Sequence, residues 1–331
     1  MSKNKIDNSF WTPSDVQPQS GHMIIDNVKK PSKIKYVNID SRFQEEYNLN
    51  KGSSFMYQLP QKITDVKSIA VRTAEIPMTF FHFSKKKGNT FFNLNTIYNN
   101  ISSPTTFIIP DGNYTVNSLQ TKIQGILNSK DNALSIVNNS SPVNPFSSIC
   151  WNSNSVTNEG FSYSINWDVD ICGNFQKYNF KSSLGWYLGY RDTFYIIPSD
   201  GPTPAENEAP FSSPQPGMLN SEGVIDVYTT RYLFLVVDEF RSSNPNSFIS
   251  PLASSMLSKN ILARITLNPA IYPYGTILPA NTFNGFLLSD QRVYAGKTDI
   301  QKLQISLVDE WGNVVDLNGV DFSFCLEIEH E

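Results

Sequence analysis

The chain has 331 residues and a formal net charge of -4, with 40% hydrophobic, 13% aromatic and only 17% charged residues. This composition supports a sizeable core and leaves a surface rich in Asn, Ser and Thr, which suits packing against other proteins. The charge contains no basic field of the kind that binds a phosphate backbone, so we expect no direct nucleic-acid partner. The length fits one large β domain or two smaller ones.

The cysteines and the apolar stretches indicate where such a chain is made. Cys150, Cys172 and Cys325 are odd in number and far apart, so they define neither a disulfide framework nor a metal site. The amino terminus lacks an apolar core of signal-peptide length, and no stretch approaches the ~20 apolar residues of a membrane span. We therefore expect a protein of the reducing cytosol with no transmembrane segment.

Residues 1–32 are predicted to form an extended N-terminal arm. The segment is polar and interrupted by prolines, yet it carries five large apolar side chains: Phe10, Trp11, Met23, Ile24 and Ile25. A segment with so little periodicity cannot bury these side chains on itself. We interpret it either as an arm that binds a partner protein through these five residues or as an untethered terminus.

Strands are predicted from residue 33 onward. The first ones cover residues 34–40, 54–59, 63–76 and 105–109. Within 63–76 the alternation changes phase near Thr73, which indicates a β-bulge, and Pro77 ends the strand. Residues 80–83 and 90–95 are predicted to pair as a hairpin, with Lys85, Lys86 and Lys87 at its solvated tip.

The middle of the chain combines one packing helix with an irregular insertion. Thr115 is the predicted N-cap, and an apolar stripe follows it at helical spacing: Val116, Leu119, Ile123 and Leu127. Residues 140–222 have weak strand signals and, near their end, a proline-rich stretch. We expect this large insertion to reach away from the core.

The last third of the chain contains the strongest strand signals. Residues 224–237 are predicted as one strand, and 232–237 are continuously apolar, so both faces should be covered in the middle of the fold. Residues 261–267 and 286–294 are further strands. Residues 303–307 and 322–328 alternate as a closing pair with one buried face. The fold class is therefore all-β, a β-sandwich.

The sequence contains no recognisable set of catalytic, cofactor-binding or metal-ligating residues, so we expect no enzyme and no cofactor. None of the three histidines is placed like a catalyst: His22, His82 and His330. The carboxylate pairs at 238–239 and 309–310 lie beside turns, where acidic residues are ordinary. Asp168 and Asp170 lack a third oxygen ligand at regular spacing for calcium.

The succession of several segments resembles a known family. These segments are YVNIDSR (36–42), FMYQLP (55–60), ITDVKSI (63–69), AEIP (74–77), IPDGNYT (109–115), the LG pairs at 184–185 and 188–189, and DLNGVDFSF (316–324). In this order they resemble the minor capsid proteins, which are structural virion proteins, of nucleocytoplasmic large DNA viruses, also called giant viruses. The resemblance runs from about residue 33 to the end.

The resemblance implies a jelly-roll scaffold over residues 33–331 and a structural role in the virion. The chain would cement capsomers of the major capsid protein or line the inner face of an icosahedral shell assembled in the host cytoplasm. Its partners would be the major capsid protein and other minor capsid proteins, with self-association open. Two alternatives are a vertex (penton) capsid protein and a glycan-binding module or spike, in which Trp151, Trp167 and Trp186 with Asp168 would form a stacking platform.

Overall fold

The structure is a computed structural model that describes residues 31–44, 52–130, 134–138, 146–151, 161–174, 180–197, 218–240, 248 and 260–331. Two α-helices lie in this part of the chain, α1 (Val116–Lys130) and α2 (Leu184–Tyr187). The strands are β1 (Lys33–Asp40), β2 (Ser54–Pro77), β3 (Phe91–Tyr98), β4 (Ile101–Ile108), β5 (Leu134–Asn138), β6 (Phe146–Trp151), β7 (Phe161–Asn166), β8 (Phe194–Ile197), β9 (Met218–Val224), β10 (Tyr232–Asp238), β11 (Ile261–Thr266), β12 (Ile277–Asn281), β13 (Leu287–Leu288), β14 (Arg292–Asp309) and β15 (Ser323–His330).

Two long strands organise the largest sheet. Its eight strands follow the order β1-β15-β2-β14-β10-β11-β13, and β12 pairs with β2. The second half of β2 pairs with β15 and β12, whereas its first half pairs with the second half of β14. Residues 66–69 of β2 also pair with the first half of β14. Between the halves, Asp65 has a φ of 53°, a left-handed conformation that breaks the regular strand. Strand β2 therefore belongs to two groups of four strands, β1-β15-β2-β12 and β2-β14-β10-β11.

These two groups enclose one hydrophobic core and define the fold. Side chains from both groups are buried together, among them Ile39, Phe55, Ile69, Leu235, Ile265, Leu278, Leu307 and Phe324. The first and last described strands are neighbours, and each group interleaves antiparallel strands that are distant in sequence. This arrangement is that of a jelly-roll sandwich. The predicted all-β, jelly-roll-type fold class is confirmed.

Several local predictions are also confirmed. The register between β15 and β2 shifts where Thr73 faces Cys325 and Val71 faces Leu326, so Arg72 is the extra residue of the predicted bulge. Strand β2 ends at Pro77. Strand β10 lies between β14 and β11 and is buried on both faces from residue 233 to 237, as its continuous apolar run predicts.

The predicted strand over residues 224–237 is too long at its start. Strand β9 ends at Val224 and β10 begins at Tyr232. The segment between them makes loop contacts instead, since the Asp226 amide donates to the Tyr187 carbonyl and Thr229 Oγ1 donates to the His82 carbonyl. These tertiary contacts replace the strand-to-strand hydrogen bonds that the longer predicted strand implies.

The closing strands have the predicted buried face but not the predicted partner. Leu307 in β14 and Phe324 in β15 are both fully buried. Both strands pair with β2, which lies between them, rather than with each other. Alternation specifies which face of a strand is buried, whereas the neighbour depends on the whole topology.

The predicted lysine-tipped hairpin is wrong. Residues Lys85–Lys87 form a 3-10 turn capped by Ser84, and residues 80–83 lie outside the named strands. The Lys87 ammonium donates to Thr230 Oγ1 at 2.9 Å and lies 5.6 Å from the Phe80 ring centroid. Lys85 and Lys86 are exposed, whereas Lys87 is partly buried because its turn folds back onto the loop before β10.

A second core is formed by two smaller sheets and α1. The sheets have the orders β4-β3-β7-β8 and β5-β6-β9. The buried side chains of this core, from the sheets, the helix and the loops between them, include Phe83, Phe92, Phe107, Leu119, Ile123, Leu127, Ile165, Trp167, Tyr190 and Val227. The predicted helix is confirmed, with Thr115 Oγ1 accepting from the Ser118 amide at its start. The insertion predicted at 140–222 falls within this stretch, and its residues 198–217 lie outside the described part of the chain.

Candidate interaction surfaces

The predicted arm cannot be compared with the structure. Residues 1–30, which include Phe10, Trp11, Met23, Ile24 and Ile25, lie outside the described residues. Their partner-binding role stays a prediction. The described part of the chain offers surfaces of its own, at the end of the jelly roll and between the two cores.

An open groove of about 500 Å³ lies at one end of the jelly roll. Four neighbouring strands position it, since it is lined by Asp40 at the end of β1, Ser323 at the start of β15, Glu75 near the end of β2, and Ile277 at the start of β12. The loop before β15 completes the lining with Val320 and Asp321. We call this surface the end groove.

Hydrogen bonds fix the carboxylates of the end groove. Asp40 accepts from Arg42 Nε at 3.0 Å and from Arg42 Nη2 at 2.5 Å, and these bonds hold the pKa of Asp40 below its ordinary value. Asp321 Oδ1 accepts from Ser41 Oγ at 2.6 Å, and Glu75 Oε2 accepts from Ser323 Oγ at 2.7 Å. The lining carries three carboxylates and one guanidinium, so it is acidic on balance.

Large apolar side chains surround the end groove and remain exposed. Ile277 and Val320 line it and are 62% and 41% exposed, and Phe43, which follows the lining residue Arg42, is 73% exposed. Clustered exposed apolar side chains with a polar rim are typical of protein contact sites.

A second groove, of about 480 Å³, lies between the turn at Lys85–Lys87 and the loop after β14. Lys86 and Asp316 line it and approach within 3.4 Å at the surface. Asp309 also lines it, and burial raises the pKa of this carboxyl. Burial likewise raises the pKa of the adjacent Glu310, to about 7, with a smaller contribution from Asp309.

Lys87, Asp309 and Glu310 form an ionisable cluster where the turn at Lys85–Lys87 meets the end of β14. Burial lowers the pKa of Lys87, whereas Asp309 and Glu310 oppose that effect. Burial also lowers the pKa of His82 to about 4, and its ring packs edge-on against Phe80 and Tyr228. His82 is thus a neutral packing residue.

The structure buries one ring of the predicted glycan platform and partly buries a second. Trp167 is 1% exposed and stacks on Tyr190 with ring centroids 5.0 Å apart. Trp186 is partly buried, with the Arg191 guanidinium 4.2 Å from its ring centroid. The side chain of Trp151 lies outside what the structure describes. Trp167 therefore serves the second core rather than a sugar.

Two of the carboxylates considered for catalysis or calcium binding have partners within the fold. Asp170 accepts from the backbone amides of Cys172 and Asn174 and closes a local loop. Glu239 is buried against Arg292. Among the residues that the structure describes, no group of three or more His, Cys, Asp or Glu is placed to hold a metal ion. Neither described helix is long and apolar enough to cross a membrane.

Sequence reasoning did not identify the end groove. Its lining comes from four separate parts of the chain, near residues 40, 75, 277 and 320. The available signal was a set of apolar side chains close to turns, at Ile271, Tyr274 and Ile277, which an alternating strand does not explain.

Two solved structures are similar over most of the chain. A chain of the 3.5 Å cryo-EM structure of the Sputnik virophage has 12% identity and a TM-score of 0.38, covering 91% of this chain and 98% of that chain. The mavirus penton protein has 8% identity and a TM-score of 0.40, covering 91% and 100%. No protein-family model and no curated protein matches the chain. Because both TM-scores are low, the fold assignment rests on the strand pairing described above.

Proposed function

We propose that this chain is a non-enzymatic structural protein of a virus capsid, a minor capsid protein that binds neighbouring shell proteins. The observation that carries the proposal is the end groove with its surrounding exposed apolar side chains, on a jelly-roll scaffold. Ile277, Val320 and Phe43 leave apolar area in water, which a protein neighbour would cover. The sequence resemblance to minor capsid proteins of giant viruses supports the same role.

The proposed partners are the major capsid protein and other minor capsid proteins, within a shell assembled in the host cytoplasm. Residues 1–32 form the proposed arm and residues 33–331 the jelly-roll domain, with an insertion at about 140–222. Many weak contacts from arm and groove add up when copies are held in one closed shell. This explains how a protein with modest individual contacts stabilises a particle.

The test is incorporation into particles with the major capsid protein. We expect Ile277→Glu to reduce the amount of this chain in purified particles by about tenfold or more, because a charge replaces an apolar contact. Phe283→Glu is the matched control, since Phe283 is 99% exposed and does not line the groove. Quantitative mass spectrometry of purified particles gives the copy number.

Cross-linking mass spectrometry of the same particles identifies the neighbour. Links to the major capsid protein support a cementing role, whereas links solely between copies arranged in five-fold rings would identify a vertex protein. Equal incorporation of both variants would show that the end groove does not carry the contact. Absence of the wild-type chain from particles would overturn the proposal.

A further inference from the structure

The end groove has the chemistry to receive an extended apolar segment with positive charge. Its floor and rim carry Ile277, Val320 and the buried Phe322, and its carboxylates are Asp40, Glu75 and Asp321. A volume of about 500 Å³ is within the roughly 300–1,000 Å³ range of protein ligand sites. It is thus large enough for a pair of aromatic side chains.

The chain itself contains a segment that matches these requirements. Phe10 and Trp11 are adjacent, and Lys3 and Lys5 precede them with Asp7 as the one acidic residue among the first ten. Aromatic side chains provide much contact area for little conformational entropy and are enriched at interface centres. Lysines close to them would meet the acidic lining of the groove.

The direction of β1 bears on which copy the segment reaches. Strand β1 runs from Lys33 to Asp40, and Asp40 lines the end groove. Lys33, which pairs with His330, lies at the opposite end of β1 from Asp40. At ~3.3 Å per residue, the two ends of the strand are about 23 Å apart. The segment before residue 31 therefore joins the described chain at the end of β1 that lies farther from its own groove. Thirty extended residues span up to ~100 Å, enough to reach a neighbouring molecule.

We propose that the end groove of one copy binds the segment around Phe10 and Trp11 of a second copy. This inference rests on the proposed function and names a second copy of this chain as one of its partners. The two aromatic rings cover Ile277 and Val320, while Lys3 and Lys5 lie close to Glu75 and Asp321. Each copy gives one segment and receives one, so two copies that exchange segments form a closed pair, whereas copies that pass the segment onward form rings or chains.

The experiment uses the full chain in two isotopic forms, one with natural nitrogen and one labelled with ¹⁵N. The forms are mixed, treated with a zero-length carbodiimide that joins lysine to carboxylate, and digested for mass spectrometry. We expect links from Lys3 or Lys5 to Glu75 or Asp321, with half of them joining a labelled and an unlabelled peptide in an equal mixture.

Matched variants test which side chains carry the contact. We expect Trp11→Ala and Ile277→Glu each to reduce these links at least tenfold, because each removes an apolar contact at the centre of the site. Phe283→Glu, an exposed position outside the groove, should leave the links unchanged. Thermal melting of every variant verifies the fold, and Val320→Asp replaces Ile277→Glu should the latter melt early.

The outcomes separate this inference from the proposed function. Links found only within one isotopic form, at all concentrations, would show that each segment binds its own groove. A complete absence of these links, or equal links in all variants, would also overturn the inference. Since particle incorporation is measured separately, a chain that enters particles without such links would disprove the second-copy contact and leave the capsid role standing.

Discussion

The carboxyl of Glu310 makes stability depend on pH near neutrality. Burial raises its pKa to about 7 from an ordinary value near 4.5. The folded state therefore binds this proton more tightly, so the free energy of unfolding falls as the pH rises from about 4.5 through about 7. We expect this fall in unfolding free energy to be smaller in Glu310→Gln than in the wild type, by on the order of 1–3 kcal/mol. Urea unfolding at pH 5 and pH 8 measures it.

The matched control for Glu310 is an exposed carboxylate of the loop after β14. Asp316→Asn removes one negative charge at a side chain that is 61% exposed, so its effect should be the same at both pH values to within about 0.5 kcal/mol. Should Glu310→Gln and Asp316→Asn show the same pH dependence as the wild type, the burial of Glu310 would not control stability.

The ion pair between Arg292 and Glu239 is fully buried in the described structure. Arg292 Nη1 donates to Glu239 Oε1 at 2.7 Å and to the Val237 carbonyl at 2.8 Å, and the Tyr294 hydroxyl donates to the same carboxylate at 2.6 Å. Breaking such a pair leaves one charge buried and uncompensated, at a cost of roughly 3–5 kcal/mol. We therefore expect Arg292→Met to lower the unfolding free energy by about this amount.

A double variant distinguishes the charge effect from lost packing. Arg292→Met combined with Glu239→Gln leaves no buried charge at the site, so it should be more stable than Arg292→Met alone. Chemical unfolding of the wild type, both single variants and the double variant completes the cycle. Additive losses in the double variant would show that the two charges do not interact.

At the scale of strands and helices, the sequence predicts which residues form an element better than it predicts which strands pair. The phase change near Thr73 predicts a bulge because the two faces of a strand must alternate, and the 3.6-residue spacing after Thr115 predicts α1. Pairing order does not follow from either pattern. The closing strands look like a hairpin in sequence, yet β2 separates them because a jelly roll pairs distant strands.

Substitutions on β14 compare a buried position with an exposed one. Leu307 is fully buried and Gln301 on the same strand is exposed. We expect Leu307→Asp to abolish folding, because an unpaired buried charge costs several kcal/mol, comparable with the stability of a whole domain. Gln301→Asp adds the same charge at an exposed position and should keep the wild-type melting temperature within a few degrees. Thermal melting followed by circular dichroism compares the two variants. A soluble, native-like Leu307→Asp would contradict the inward position of Leu307.

The bend in β2 provides a backbone test. Asp65 has a φ of 53°, which glycine adopts freely and β-branched residues strongly disfavour. Its carbonyl accepts from the Glu331 amide at 3.2 Å, a backbone bond that a substitution keeps. We expect Asp65→Val to lower the unfolding free energy by about 1–2 kcal/mol and Asp65→Gly to leave it nearly unchanged. Equal losses in both variants would assign the effect to the Asp65 side chain instead of the backbone.

At the scale of the whole molecule, the sequence predicts the sandwich but not its surfaces. The end groove depends on residues near 40, 75, 277 and 320, and no local pattern places these together. The same limit explains Trp167, whose neighbouring Asp168 suggests a sugar site, whereas the fold buries its ring against Tyr190. Exposure of a side chain is a property of the assembled fold, so the candidate contact surface emerges only from the structure.

The two hydrophobic cores share none of their buried side chains, which predicts that they lose protection separately. Gly185 offers a selective perturbation, because a Cβ at this position would lie 2.2 Å from the Trp167 ring. We expect Gly185→Ala to speed amide hydrogen exchange in β3, β7 and β8 at least tenfold while β1 and β15 keep wild-type protection. Gly125→Ala is the control, since its Cβ would meet nothing within 4 Å. Equal loss of protection in β1 and β15 would instead show that the junction around Lys87 and Asp309 couples both cores into one cooperative unit.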